Sequence, residues 1–265
     1  MDIMQQMDTQ KQDRKNGMST EEISNQEEKN ILKQLLDPAY PLAQRFKEVC
    51  PGTYKHCQSL VTMVEGVSLA LDLDVDYMKV AALYHDIGKM FNPTCFTENQ
   101  LDDENLHDKL DPKMSYQIIT RHVSDTALIL LNDPLFPRDL IEIVTQHHGT
   151  TITKYFFDKA GSKNEDSFRY KGSKPKTVEA MILMICDHIE ARSRSDVQAG
   201  KKIAPSDLIE NIINYQLSDG QLDDVVMRLG DLQKIKIALS RELEGIYQKR
   251  VDYSKAKEEQ ITNRA

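Results

Sequence analysis

Apolar residues recur at helical spacing along most of the chain. Between residues 112 and 132 the apolar positions follow a period near 3.6 rather than strict alternation, and the segment 176–195 carries an apolar stripe from Val178 to Ile189. No window shows the two-residue alternation with hairpin turns that is typical of strands. The pattern predicts an all-α protein, folded as a single helical bundle.

Capping residues predict where the helices begin. Ser19-Thr20-Glu21-Glu22 matches a capping box, which predicts a helix from there to about Leu36. Another helix is expected over Tyr77–Lys89, and one over 137–148 should end with Gly149 as its C-cap. Asp, Ser or Pro before a periodic run predicts five helix starts, including those of the two helices just named. These starts are Asp76, Asp111-Pro112, Pro137, Pro205-Ser206 and Asp231.

The polarity of the two ends separates them from the body of the chain. Residues 1–30 form a polar leader whose first half is predicted to be disordered and whose second half begins the first helix. Residues 31–253 are expected to form one domain, followed by a charged and frayed tail over 254–265. Met1 and the polar leader favour a free-standing protein, although a cytosolic part of a longer membrane protein stays open.

Composition narrows the classes of partner. With 34 Lys and Arg against 42 Asp and Glu, the net charge of −8 argues against binding along DNA or RNA, but not against a small anionic substrate. The longest apolar runs, such as Met181–Cys186, are too short to span a membrane, and the N-terminus has no apolar signal segment. A cytoplasmic location with reduced thiols is therefore expected. The four cysteines form no CxxC pair, so a metal site would use His and carboxylate ligands.

Histidines and aspartates are concentrated near apolar segments, and two pairs of them are adjacent. A lone histidine on an apolar face is usually a satisfied core residue, but burying this whole set without partners would be costly. One or two divalent ions would satisfy all of them, and this donor set suits Fe, Mn, Zn, Ni or Co. The candidates are His56, His85-Asp86, His122, His147-His148 and Asp187. By contrast, His107 is expected to be exposed, and His188 to be an outer neighbour or solvent-facing.

Two loops and two cysteines complete the candidate chemistry. The loop 92–111 is acidic, whereas the loop 161–176 is basic and is either a contact for an anion or a solvated charged loop. A nucleophilic role for Cys57 or Cys186 would need an accessible thiolate and an adjacent base, and it is the less favoured alternative.

The order H…HD…H…HH…D resembles the dinuclear branch of the HD-domain metal phosphohydrolases. Longer motifs over about residues 38–253 are similar to the cytosolic catalytic domain of the seven-transmembrane HD phosphodiesterases of the PgpH type. These motifs are PGTYKH (51–56), YHDIGKM (84–90), ENQ (98–100), HDKLDP (107–112), IITRHV (118–123), QHHGT (146–150), FRYKGSKPKT (168–177), CDHIEARSRS (186–195) and the last helix, 231–253.

This resemblance implies hydrolysis of cyclic di-AMP to linear pApA by a hydroxide that bridges two metal ions, with Fe or Mn expected. By motif position, His56, His85, Asp86 and Asp187 would hold one ion. His122, His147 and His148 would hold the other, with Asp86 bridging the two. Asp86 and Lys89 are the expected catalytic residues. The substrate contacts implied are Lys89, Asn99, Arg169, Lys171 and Lys174.

Departures from the family pattern leave alternatives open. Cys57 stands where the family usually has Ser, His188 where it usually has a small residue, and the basic loop is altered around Lys171. The alternatives are an HD phosphohydrolase of another nucleotide, such as a nucleoside phosphate or alarmone, and a non-catalytic module that senses a nucleotide. A homo-oligomer is also left open.

Overall fold

Helices make up the regular structure throughout the computed structural model, which describes residues 20–100, 105–201 and 203–262. Among these residues no strand occurs, and a single bridge pairs Ile152 with Arg169. Short 3-10 turns over Ile87–Phe91, Pro93–Cys95, Thr97–Asn99, Leu106–Asp108 and Glu165–Phe168 link the α-helices. The helices are α1 (Thr20–Leu36), α2 (Pro41–Val49), α3 (Pro51–Leu71), α4 (Val75–Tyr84), α5 (Pro112–Leu131), α6 (Arg138–Thr145), α7 (Lys154–Ala160), α8 (Val178–Gln198), α9 (Pro205–Ser218) and α10 (Leu229–Thr262). The predicted all-α class is confirmed.

Helix α3 lies at the centre of the bundle and packs against α4, α8 and α10. Its buried side chains, including Leu60, Met63 and Val67, meet the apolar run Met181–Cys186 of α8 within one core. That run is fully buried, which explains why it is apolar on every side although it is too short to span a membrane. Within the described residues, no helix combines the length and apolarity that membrane crossing requires.

Local capping chemistry explains where several helices begin. Pro112 opens α5, and the Asp111 carboxylate accepts hydrogen bonds from the backbone N–H groups of Lys113 and Met114, as the sequence predicts. Helix α4 is capped by Asp74, which accepts from the backbone N–H of Tyr77 at 2.9 Å, rather than by Asp76. The predicted start at Asp76 is therefore two residues late.

Two predicted helix ends are wrong, and both errors fall next to the candidate ligands. Helix α4 ends at Tyr84 rather than at Lys89, because the chain tightens into the 3-10 turn Ile87–Phe91. A Cβ at Gly88 would lie 2.1 Å from the His122 carbonyl oxygen, so only glycine allows this turn to approach α5 so closely. Helix α6 ends at Thr145, and Gly149, with a φ of +51°, lies in the following turn rather than at the helix end.

The outer limits of the predicted domain have different outcomes. The first helix occupies Thr20–Leu36, as the capping box predicts. Helix α10 begins at Leu229, two residues before the predicted Asp231, and runs past Tyr253 to Thr262. Residues 1–19 and 263–265, which include the first half of the predicted leader and the end of the predicted tail, lie outside the described residues.

Candidate metal centre

The seven predicted ligands converge from within three helices and from the turns that follow two others. His56 lies on α3, His122 on α5 and Asp187 on α8, while His85-Asp86 directly follows α4 and His147-His148 follows α6 after Gln146. Their donor atoms form two groups in which all atoms lie within 4.8 Å of one another. The first group is His56, His85, Asp86 and Asp187, and the second is Asp86, His122, His147 and His148.

Asp86 belongs to both groups, and each of its carboxylate oxygens faces one of them. Oδ2 lies 3.2 Å from Nε2 of His85, and Oδ1 lies 3.2 Å from Nε2 of His122. Asp187 also spans the centre, with Oδ1 at 3.0 Å from Nε2 of His56 and Oδ2 at 3.9 Å from Nδ1 of His148. The Asp86 carboxylate can bridge two cations, because its two oxygens face different donor groups.

Hydrogen bonds at the other ring nitrogen orient most of the histidines. Nδ1 of His85, His122 and His147 lies 2.6–2.8 Å from the carbonyl oxygen three residues earlier. Nδ1 of His56 instead lies 2.5 Å from Oε2 of Glu190. An N–H donated in this way leaves the lone pair of Nε2 directed into the centre, which is how proteins fix the tautomer of a metal-binding histidine.

Unpartnered buried atoms test whether a cation fits. Nε2 of His85, Oδ1 of Asp86 and Nδ1 of His148 are buried without a hydrogen-bond partner among the described residues. All three belong to the two groups, and orphaned buried polar atoms are costly unless something else satisfies them. Imidazole nitrogen and carboxylate oxygen are the donor types of divalent transition metals. The residues present therefore fit divalent metal binding.

The pKa values of the histidines differ across the centre. Burial and the neighbouring His85 lower the pKa of His147 to about 3, and burial and His147 lower the pKa of His148 well below its usual value. Burial also opposes charge on His56, but hydrogen bonds to Asp187 and Glu190 outweigh it and raise the pKa to about 10. Burial likewise opposes charge on His85, but Asp86 raises its pKa well above the usual value, so a metal ion would compete with protons at His56 and His85 more than at His147 and His148.

Lys89 is held beside the shared carboxylate. Its Nζ lies 2.7 Å from Oδ2 of Asp86 and 2.8 Å from Oε1 of Glu98, and its side chain is 12% exposed. Burial would lower the pKa of Lys89, but these two carboxylates raise it above its usual value. Burial would likewise raise the pKa of Glu98, which Lys89 and Arg194 instead lower to about 2. Lys89 therefore contributes a permanent positive charge at the edge of the centre.

The other predicted substrate contacts already have partners within the chain. The Asn99 side chain exchanges hydrogen bonds with Thr53, which ties the acidic loop to the start of α3. Arg169 makes two hydrogen bonds to Asp219, Lys174 pairs with Asp223, and Nζ of Lys171 donates to the carbonyl of Asp166. Their roles toward a substrate stay predictions.

Three predictions about neighbouring residues have clear outcomes. The expectation that His107 is exposed is wrong, because its ring packs against Phe156 and its Nε2 lies 2.8 Å from the Cys95 carbonyl oxygen. His188 is partly buried, with its ring 5.9 Å from that of His148, as expected of an outer neighbour. Cys57 and Cys186 are both fully buried, so neither offers the accessible thiolate that a nucleophile needs.

Two cavities adjoin the centre and share His148 and Tyr170 in their walls. One, of about 630 Å³, lies between the 151–154 segment, α8 and α9. The other, of about 590 Å³, lies against α5 and includes Lys171. Tyr170 stacks on the His148 ring with centroids 4.3 Å apart. The pairing of residues 151–153 with 168–170 holds Tyr170 in place.

Sequence reasoning missed two residues that support the centre. Glu190 follows Asp187 by three residues, so helical periodicity along α8 could have identified it as a partner for His56. Glu98 lies in a loop without periodicity, and only the fold brings it to Lys89. Both are carboxylates that contact another side chain of the centre, and neither belongs to a donor group.

Comparisons with known proteins agree with this geometry. The chain is 36% identical over 229 residues to the cyclic-di-AMP phosphodiesterase PgpH of Bacillus subtilis (strain 168), a match that covers 85% of this chain and 32% of that protein. It is 37% identical over 227 residues to the protein of the same name from Listeria monocytogenes serotype 1/2a (strain 10403S), covering 84% and 31%. The chain thus spans about a third of the length of these curated relatives.

Two solved structures resemble the fold. The crystal structure of the L. monocytogenes PgpH HD domain matches with a TM-score of 0.73 and 36% identity, over 78% of this chain and 99% of that one. The same domain in complex with cyclic-di-AMP matches with a TM-score of 0.72 and 34% identity, over 80% and 100%. The family model for the HD domain matches residues 53–192, a range that contains all seven convergent residues. The chain therefore belongs to the HD-domain family.

Proposed function

We propose that this chain is a metal-dependent phosphodiesterase that hydrolyses a cyclic dinucleotide, cyclic di-AMP, to linear pApA. The observation that carries the proposal is the convergence of seven donor residues into two groups that share Asp86. The similarity to PgpH proteins of two bacteria, and to an HD domain solved with cyclic-di-AMP, supports the choice of substrate. A cytoplasmic location and a homo-oligomeric state stay predictions.

The donor groups suit two divalent ions per chain, for which Fe or Mn is proposed and Zn, Ni or Co is the alternative. His56, His85 and Asp187 would hold one ion, His122, His147 and His148 the other, and Asp86 both. When bound, such a pair supplies Lewis acidity to a phosphodiester and lowers the pKa of the attacking water. The outer contacts to Glu190 and to backbone carbonyls keep the imidazoles oriented for this task.

Lys89 supplies the charge that the protein itself brings to the reaction. It adjoins Asp86, so a phosphate seated on the centre lies within reach of its ammonium group. Glu98 fixes that ammonium group and keeps it from folding away toward solvent. Preorganised positive charge in a site shielded from water stabilises the charge that develops on phosphate oxygens.

Anaerobically purified protein tests the proposal directly. Metal content per chain is measured first, and the protein is then incubated with cyclic di-AMP, cyclic di-GMP and a panel of nucleoside phosphates and alarmones. We expect two ions per chain and metal-dependent conversion of cyclic di-AMP to pApA, identified by mass spectrometry. Chelation should stop the reaction, and restoring the metal should restart it.

A matched pair of variants controls for folding. Asp86→Asn should abolish turnover and reduce metal content, whereas Asp72→Asn, an exposed residue in the left-handed turn after α3, should change neither. Turnover of nucleoside phosphates but of no cyclic dinucleotide would contradict the proposed substrate. Tight nucleotide binding without hydrolysis by the metal-loaded protein would contradict the enzyme and favour a sensing module.

A further inference from the structure

A third cavity reaches the metal centre from the side of His56. It encloses about 420 Å³, and the residues that line it include Lys55, His56, Glu98, Glu190 and Arg194. The side chains of Glu98 and Glu190 are 7% and 2% exposed, whereas that of Arg194 is 27% exposed. The cavity thus places a guanidinium group within reach of solvent beside two buried carboxylates.

Helical spacing along α8 explains how Arg194 comes to lie there. Asp187, Glu190 and Arg194 are three and four residues apart, so they lie along one face of the helix. The first is a donor of the metal centre, and the second orients His56. Nε of Arg194 lies 3.8 Å from the same Oε2 of Glu190 that contacts Nδ1 of His56. This face of α8 therefore runs from a metal ligand, through the partner of a second ligand, to a cation.

Glu98 links Arg194 to the other side of the centre. Oε1 of Glu98 lies 2.8 Å from Nζ of Lys89. Burial would raise the pKa of Glu98, but Lys89 and Arg194 lower it, so both cations act on this carboxylate. Two buried carboxylates repel each other unless a cation offsets their charges. Arg194 shares the cavity with both Glu98 and Glu190, so its charge offsets both.

Metal binding makes Glu190 depend more strongly on Arg194. A histidine that binds a metal ion through Nε2 and donates at Nδ1 is neutral, so Glu190 then keeps its charge beside a neutral ring. A buried charge without a compensating partner is costly. Removal of the guanidinium should therefore cost more in the metal-bound protein than in the metal-free protein, and this difference lowers the metal affinity.

We propose that Arg194 is a positioning residue of the metal centre that acts through two carboxylates. Its guanidinium holds Glu190 on His56, and it holds Glu98 on Lys89. This inference rests on the proposed function, which it deepens by naming the residue that ties a metal-binding histidine to the catalytic lysine. Arg194 itself belongs to neither donor group.

A metal titration tests this role without relying on turnover. Competition against a chromophoric chelator, carried out anaerobically with Mn²⁺, compares Arg194→Ala with the wild-type protein. We expect one of the two sites to weaken about tenfold, the lower limit for loss of an outer partner of a ligand, and the other to stay within about twofold. The matched control is Arg241→Ala, which removes an arginine that is 71% exposed and pairs with Glu242 on α10, and it should keep both affinities. Equal weakening of both sites in Arg194→Ala, or no weakening, would overturn the inference.

Chemical rescue separates positioning from a folding defect. Arg194→Ala enlarges a cavity that solvent already reaches, so free guanidinium ion can enter it. Added guanidinium should strengthen the weakened metal site at least about threefold, whereas an equal concentration of sodium chloride should not, because sodium offers no directed N–H donors. Guanidinium destabilises folded proteins, so it would worsen a folding defect. Failure of guanidinium to strengthen the weakened site would overturn the positioning role.

Initial rates test the connection to Lys89. At saturating metal, Arg194→Ala should lower kcat at least about tenfold for cyclic di-AMP and for bis(p-nitrophenyl) phosphate, a diester without a base, because the ammonium group of Lys89 is less well fixed. Arg194→Lys keeps a tethered charge and should retain kcat within about threefold of wild type. A wild-type kcat in Arg194→Ala would refute the link to Lys89. Two bound ions in the wild-type protein without hydrolysis of any cyclic dinucleotide would instead refute the proposed function, and selective weakening of one site in Arg194→Ala would still support the inference.

Discussion

Replacing Glu190 with Gln should weaken one metal site and leave the other intact. Glu190 Oε2 lies 2.5 Å from Nδ1 of His56, and both side chains are 2% exposed. Nδ1 of His56 is oriented by a carboxylate side chain, whereas Nδ1 of His85, His122 and His147 lies closest to a backbone carbonyl. Glu190→Gln therefore changes the orientation and basicity of a single ligand.

The expected size of the effect follows from this contact. Loss of an outer carboxylate partner of a metal-binding histidine costs about 10–100-fold in metal affinity. Glutamine still offers an amide oxygen to the Nδ1 proton, so Glu190→Gln should lie near tenfold, or about 1.4 kcal/mol. Glu190→Ala removes the acceptor entirely and should lie near a hundredfold. The ion held by His122, His147 and His148 should change by less than about twofold.

Competition against a chromophoric chelator, carried out anaerobically with Mn²⁺ or Fe²⁺, measures both affinities in one titration. The wild-type protein should bind two ions, and Glu190→Gln should keep one wild-type site and one weakened site. Glu65→Gln is the matched control, because Glu65 lies on the same helix as His56, is 44% exposed and pairs with Lys79. Equal weakening of both sites in Glu190→Gln, or no weakening, would refute the assignment of Glu190 to one site.

Three further predictions concern the surroundings of the centre. Lys89→Met should lower kcat about a hundredfold with two ions still bound. The control Lys79→Met, at an ion pair away from the centre, should keep the wild-type kcat. Metal analysis and initial rates measure both effects. Gly88→Ala should lower the free energy of unfolding by more than about 2 kcal/mol in denaturant titrations, because its Cβ would meet the backbone of α5, while Gly230→Ala, in open space, should not. Asp219→Asn should cost about 1–2 kcal/mol at neutral pH. Burial would raise the pKa of Asp219, but hydrogen bonds from Arg169 and Gln221 lower it, so the stability difference should persist above the unfolded pKa near 3.9 and close as the pH falls through the lower folded value.

The sequence was sufficient to predict several of the helices, though not the central helix α3, and the residue types of the centre. Apolar periodicity identified α5 and α8, and the capping residues Asp111 and Pro112 gave the start of α5. The donor set followed from the chemistry of histidine and carboxylate and from the resemblance to a known family. Both kinds of signal are local or short-range, so they do not depend on how distant segments pack.

The contacts that sequence reasoning did not anticipate join distant segments of the chain. His107 was expected to be exposed because its loop is acidic, but Phe156 and the Cys95 carbonyl enclose it. Arg169 stays a predicted substrate contact, and the fold also brings Asp219 from 50 residues away to accept hydrogen bonds from its guanidinium. The composition of a loop does not indicate which partner a charged side chain will find.

The helix end that was predicted wrongly at α4 lies where the backbone turns to position two ligands. Adjacent residues of a continuing helix point about 100° apart, so His85 and Asp86 would diverge if α4 ran to Lys89. The helix stops at Tyr84, and Asp86, with φ and ψ of −109° and 11°, turns its carboxylate toward both donor groups.

Two of the metal-site histidines contact carbonyl groups in the last turns of α4 and α6. Nδ1 of His85 lies 2.8 Å from the Ala82 carbonyl oxygen, and Nδ1 of His147 lies 2.6 Å from that of Val144. Both carbonyls lie in the last turn of their helices, and that of Val144 also accepts from the backbone N–H of His147 at 3.3 Å. An N–H donated to such a carbonyl fixes the tautomer that directs Nε2 into the centre. The same contact orients His122 inside the continuing helix α5, so the ring-to-carbonyl contact orients the ligands, whereas the helix ends decide where His85 and Asp86 lie.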